Sequence, residues 1–140
     1  TLIVSAPSQL APGSKSDALV EFVDIYPTLC ELCGLTVRSE LEGLSMAPLL
    51  NDPQKTWKSA AFSQYPRPEG IMGYTMRTER YRYTEWIQDK TSLVGTELYD
   101  HILDPDENVN CAAEPDKSEL VKQLSAALHA GWKSALPLAQ

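Results

Sequence analysis

The pattern of apolar and polar positions changes character near Trp57. Beyond it lie four short runs, WKSAAFSQY, IMGYTMRT, RYRYTEWI and TELYD. Their aromatic and β-branched residues predict four strands. The links between them are short, which predicts antiparallel pairing. Thr78 and Glu79 are expected at the tip of a hairpin joining the second and third runs. A last helix is expected from near Pro115, because Leu120, Val121, Leu124, Ala127, Leu128 and Trp132 recur at helical spacing. That stripe predicts one face packed on the sheet.

Before Trp57 the pattern is less regular. TLIVSAP reads as a short apolar strand ended by Pro7, and SQLAPGSKS as a loop broken by Pro12 and Gly13. ALVEFV alternates only roughly and fits either a strand or a lead-in turn. Residues 24–34 predict a helix. Asp24 is a good N-cap, Pro27 falls in the first turn where its missing N–H costs nothing, and Gly34 stands at C′. At about 100° per residue, Ile25, Tyr26, Leu29, Cys30, Leu32 and Cys33 form one apolar arc. Cys33 is expected well inside the buried face and Cys30 at its edge. LEGLSMAPLLNDP and HILDPDENVNCAAEP read as loops, the second a turn-rich linker.

The chain has 140 residues, enough for one domain with its own core. It is 43% hydrophobic and 22% charged, an ordinary globular composition. A formal net charge of -7 argues against a nucleic-acid partner, which would need a clustered basic surface. No apolar run approaches the ~20 residues of a membrane span. The apolar start lacks the basic flank of a signal peptide and reads as if it opens in mid-strand, as a fragment would. Cys30, Cys33 and Cys111 make an odd set that fits a disulfide framework poorly.

Candidate chemistry is sparse. Cys30-Glu31-Leu32-Cys33 is a C-x-x-C, but Cys30 falls in the second helical turn, not at the N-terminus where the dipole would activate it. Zinc would need a second ligand pair, which Cys111, His101 and His129 do not form by spacing. Two buried small side chains are expected instead. DPDENVN lacks the Gly and Glu of a calcium loop and is expected to be an Asx-type turn. His101 and His129 are expected to be structural, since no serine stands in a nucleophile-elbow pattern. SQYPRPEGIMGYTMRTERYRYTEW gathers Arg67, Arg77, Arg80 and Arg82 among tyrosines, and most of these fit a half-exposed sheet. Arg67 is set apart by the Pro-flanked Tyr65-Pro66-Arg67-Pro68, expected to be a rigid turn on a loop, where binding residues often lie.

VDIYPTLCELCGL resembles the D-x-x-P-T-L helix motif of the type I sulfatases. LEGLSMAPLL is similar to their G-x-S-x-x-P-L-L segment, and ELYDHILDPDENVNCA to their E-L-Y-D…D-P-x-E-x-x-N-L-A ending. The three occur in the family's order. AFSQYPRP and IMGYTMRTERYRYTEW resemble the matching stretch of iduronate-2-sulfatases, except that only Glu69 and Gly70 stand where the animal enzymes carry a longer loop. No cysteine or serine stands in C/S-x-P-x-R, the source of the family's formylglycine, and no motif matches its calcium ligands.

The resemblance therefore implies the C-terminal part of a sulfatase. The expected fold is an α+β fragment of an α/β, alkaline-phosphatase-like architecture, a small antiparallel sheet of about four strands carrying a C-terminal helix. Residues 1–55 would be the tail of the large domain and 56–140 the C-terminal subdomain. In this chain no residue is expected to be catalytic and none to bind metal. Calcium and formylglycine are expected in the N-terminal part of the parent, which would be the chain's partner. By resemblance, Gln64, Tyr65 and Arg67 are the residues placed to touch a sulfated glycan or similar ester. The parent would be periplasmic, secreted or lysosomal. Alone, the chain is expected to be inactive and open to self-association through its old interface; a clean monomer on gel filtration would count against that. The alternative is a free-standing module that binds an anionic carbohydrate through the Arg/Tyr sheet.

Overall fold

The structure is a computed structural model that describes residues 2–7 and 9–137. Thr1 and Ser8, ends of the expected first strand and loop, lie outside the described residues. The chain divides into two compact units, Thr1–Lys58 and Ser59–Gln140.

In the first unit a turn of 3-10 helix, Phe22–Asp24, leads into helix α1, Ile25–Leu32. The end of α1 is as expected. Gly34 has φ 68°, its N–H donates to Glu31 O (3.1 Å), and Leu35 N donates to Cys30 O (2.8 Å). This is the paired closure that a left-handed C′ glycine permits. The start differs. Asp24 precedes the helix but does not cap it. Its carboxylate accepts instead from Glu21 N (2.9 Å), Leu44 N (2.7 Å) and Lys58 Nζ (2.7 and 2.8 Å). Lys58 also donates to Glu21 (2.6 Å), and all three side chains are buried or nearly so.

Thr28 Oγ1 donates to Asp24 O and accepts from Met46 N (2.9 Å). Gly43 makes this approach possible, because a Cβ there would sit 1.9 Å from Val23 O. The D-x-x-P-T and G-L-S-M segments are thus one hydrogen-bonded unit. The first fixes two acceptors, and the second supplies the backbone N–H groups that would otherwise be buried without partners.

Two expectations fail in this unit. The apolar run at the start forms no strand over residues 2–6, and Ile3 is exposed. A strand needs a ladder partner, and the described residues of this unit provide none. The buried face of α1 is also rotated away from the centre of the apolar arc, taking in Pro27 and Thr28 and only Cys30 at the arc's edge. Pro27, Thr28 and Cys30 are buried, whereas Tyr26, Leu29, Leu32 and Cys33 are exposed. The hydrogen bonds of Asp24 and Thr28 turn that side inward.

The second unit follows the expected plan. Strands β1 (Ala60–Arg67), β2 (Ile71–Thr78), β3 (Tyr81–Gln88) and β4 (Ser92–Asp100) form an antiparallel meander in the order β1-β2-β3-β4. The β2–β3 tip is Glu79-Arg80, one residue later than predicted. Pro115–Lys117 is a short 3-10 turn that opens helix α2, Ser118–Ala130. Leu124 is buried, and Leu120, Val121 and Leu128 pack with it against Ala60, Met76, Tyr83, Leu98 and Cys111. Ala127 is exposed, and Trp132 lies past the helix end at Gly131 in a further 3-10 turn.

Candidate functional site

The expected turn at Tyr65-Pro66-Arg67-Pro68 is not a turn. Tyr65, Pro66 and Arg67 belong to β1, and the turn is Pro68–Gly70. Proline is tolerated because β1 is an edge strand, where a missing N–H leaves no ladder partner wanting. Strand alternation then separates the three candidates. Tyr65 and Arg67 share one face of the sheet. Gln64 points to the other, where it lines a groove of about 620 Å³ with Phe62, Tyr74, Glu85, His129 and Trp132.

On the Tyr65–Arg67 face the guanidinium of Arg67 lies over the ring of Trp86, 3.7 Å from its centroid. Trp86 lies flat because its neighbours across the sheet are Gly73 and Gly95. A Cβ on Gly73 would meet Trp86 Cζ3 at 2.6 Å, and one on Gly95 would meet Cδ1 at 3.4 Å. The six-membered ring therefore crosses β2 toward β1 and Arg67. The indole Nε1–H donates to Glu97 Oε1 (2.9 Å). A register shift between Trp86 and Ile87, a β-bulge, adjoins the ring.

Arg67 also differs from the other arginines in what holds it. Arg80 pairs with Asp100 (2.6 Å), Arg82 with Glu107 (2.9 Å), and Arg38 with Glu40. Arg77 donates to the carbonyls of Thr78 and Tyr81. Among the described residues no carboxylate lies within ion-pair distance of Arg67, and the residue is exposed. Face contact with an aromatic ring leaves the in-plane N–H groups free to donate.

On the groove face, Glu85 is a buried carboxylate that sequence reasoning did not single out. It accepts from Tyr83 Oη (2.9 Å) and Ser125 Oγ (2.7 Å) and bonds His129 Nε2 (2.8 Å). Burial pushes its pKa up, but the hydrogen bonds of Ser125, Tyr83 and His129 outweigh this and leave it lowered. Burial, then the bond to Glu85, pushes the Tyr83 hydroxyl up to about 12. Ser125 bonds the carboxylate and not the histidine, so the group is a structural network and not a nucleophilic triad. The Glu85 contribution to stability is present above the ordinary 4.5 and is lost as pH falls through its lower folded value. The Tyr83 contribution is present below the ordinary 10.0 and is lost as pH rises through about 12. Acid unfolding of Glu85→Gln should therefore show a weaker pH dependence below 4.5 than the parent. Identical acid limbs would remove Glu85 from the account.

Elsewhere the histidine and loop expectations hold. His101 bonds Glu107, and Asp104 accepts from Val109 N (2.8 Å) and Asn108 Nδ2 (3.0 Å), as in an Asx-type turn. Cys30, Cys33 and Cys111 are free; Cys30 and Cys111 are buried and Cys33 is exposed, so only Cys33 departs from expectation. Among the described residues no group of three or more His, Cys, Asp or Glu side chains could hold a metal ion. No helix among them is long and apolar enough to cross a membrane. The described residues do not fit calcium, and none of the cysteines or serines stands in a formylglycine motif.

Comparison with known proteins agrees with this architecture. Residues 1–133 match the family described as N-sulphoglucosamine sulphohydrolase, C-terminal. The chain is 34% identical over 110 residues to the Delta 4,5-hexuronate-2-O-sulfatase of Bacteroides thetaiotaomicron, a match covering 76% of this chain and 22% of that protein. It is 32% identical over 118 residues to human iduronate 2-sulfatase, covering 59% of this chain and 22% of that enzyme. A crystal structure of a candidate sulfatase from Bacteroides thetaiotaomicron superposes with a TM-score of 0.64 at 34% identity, covering 76% of this chain and 23% of the other. The chain thus spans about a fifth of the length of the curated relatives it matches. With a family match over residues 1–133, a four-stranded meander and a packed C-terminal helix, the chain belongs to this family of sulfatase C-terminal regions.

Proposed function

We propose that this chain acts as the C-terminal region of a sulfatase and helps shape its substrate cleft, with Arg67 and Tyr65 facing a sulfated glycan or similar ester. The observation that carries this reading is Arg67: an exposed residue whose guanidinium stacks on Trp86, with no ion pair to a carboxylate among the described residues. A guanidinium fork suits the paired oxygens of a sulfate or carboxylate. Tyr65, two residues away on the same face and two-thirds exposed, offers a ring face and a hydroxyl. Gln64 faces the groove and does not share in this contact. The names of two relatives point to 2-O-sulfated uronic sugars and that of a third to 6-O-sulfated N-acetylglucosamine, so sulfated sugars are the class they share.

The partner in this reading is the N-terminal sulfatase domain, which would supply the formylglycine, the calcium ion and the turnover that this chain alone would lack. The exposed apolar side chains of the first unit support it. Phe22 is 92% exposed, and Tyr26, Leu29 and Leu35 are each more than half exposed. Residues so apolar on a short helix and its flanks suit a covering partner.

In the intact sulfatase carrying this chain, Arg67→Ala should lower kcat/KM for a sulfated sugar about 10-fold or more. That is the order of one charge-assisted hydrogen bond, about 1.5–3 kcal/mol. Expression and thermal unfolding should be unchanged, since the side chain is exposed. Unchanged kcat/KM would make Arg67 an ordinary surface residue.

A further inference from the structure

The indole of Trp86 is built into place more firmly than a core side chain requires. Two glycines lie directly across the sheet from it, one on each side. A side chain at Gly73 would overlap the ring at 2.6 Å. Its N–H is anchored on Glu97. The far side of the ring carries Arg67 and nothing else that the described residues pair with that guanidinium.

We infer that Trp86, seated on Gly73 and Gly95, is the positioning residue for Arg67 and so sets the affinity of this face for a sulfated or carboxylated sugar. The inference rests on the reading of Arg67 as an anion contact. A free arginine side chain samples many rotamers, and holding it for a ligand costs side-chain entropy. Contact with the indole face removes part of that cost before the ligand arrives. The ring attracts the cation through its quadrupole but offers no acceptor for the in-plane N–H groups. The guanidinium is therefore held and still unsatisfied. An ion pair would hold it equally well but would occupy the fork, as it does for Arg80 on Asp100. The anchor on Glu97 fixes the tilt of the ring, and hence the plane on which Arg67 rests.

The test is NMR of the intact sulfatase that carries this chain, labelled at arginine and inactivated at its formylglycine, with a 2-O-sulfated unsaturated hexuronate disaccharide as the probe. In the ligand-free enzyme the Arg67 Nε–Hε resonance should be shifted upfield by the indole ring current. Adding the disaccharide should move it. Trp86→Leu should abolish the upfield shift and weaken binding about fivefold, the scale of one cation–π contact. Trp86→Phe, which keeps a ring face but loses the anchor on Glu97, should restore part of both. Gly73→Ala, which displaces the ring without removing it, should weaken binding in the same direction and serves if Trp86→Leu folds poorly. Equal affinity in the parent, Trp86→Leu and Gly73→Ala would overturn the positioning role and leave Arg67 as an anion contact. An Arg67 resonance that never responds to the disaccharide would overturn both.

Discussion

Asp24→Ala is expected to cost about 3–5 kcal/mol, the usual penalty for breaking a buried ion pair and stranding one charge. Lys58 is the charge left behind. Its ammonium is buried and donates to both oxygens of Asp24. Among the described residues, Glu21 would remain as its acidic partner. The same substitution leaves the N–H groups of Leu44 and Glu21 without the acceptor they have now. Asp24→Asn should be milder, because it keeps an oxygen for Leu44 N while removing the charge. Urea unfolding of the chain, followed by hydrogen exchange at Leu44 and Met46, would measure both. Loss of less than about 1 kcal/mol in Asp24→Ala would mean that water reaches Lys58 and that the buried cluster is not as drawn.

Leu98→Ala should cost about 2–5 kcal/mol, the range for a large-to-small change in a packed core. Leu98 has no exposed surface and sits among Met76, Tyr83, Leu124 and Cys111. Its own N–H donates to Asn110 Oδ1 (3.0 Å), and its carbonyl accepts from Cys111 N (2.9 Å). The strand is thus pinned on both sides of the missing side chain, and the cavity cannot easily collapse. Leu93→Ala on the exposed part of the same strand is the control and should stay within about 0.5 kcal/mol. Equal unfolding midpoints for the two variants would show that β4 does not carry the core.

Much of the second unit was legible because its signals are local. Aromatic and β-branched runs separated by short links leave little choice but a meander, and the α2 stripe needs a sheet to cover it. Gly34 was legible for the same reason, since a left-handed C′ position is a property of one residue. The misses share a different cause. Which face of α1 turns inward depends on Asp24 reaching Leu44 and Lys58, far along the chain. The hydrophobic arc identified the apolar side correctly, but that side is not the one this unit buries. Pro66 suggested a loop because proline usually breaks strands, and only the edge position of β1 makes it harmless. The Trp86 seat could not be seen at all, because Gly73 and Gly95 become its neighbours only once the register is known. Glu85 was equally hidden, with partners two residues away on its strand and 40 and 44 residues away on α2.

The central claim, that this chain is the C-terminal region of a working sulfatase, is tested most directly by reading the coding sequence upstream of Thr1. The account predicts an open frame continuing upstream, with a C/S-x-P-x-R motif and acidic residues able to bind calcium. A stop codon in frame close upstream, or a continuous frame of sulfatase length without that motif, would contradict it and favour a free-standing module for anionic carbohydrate.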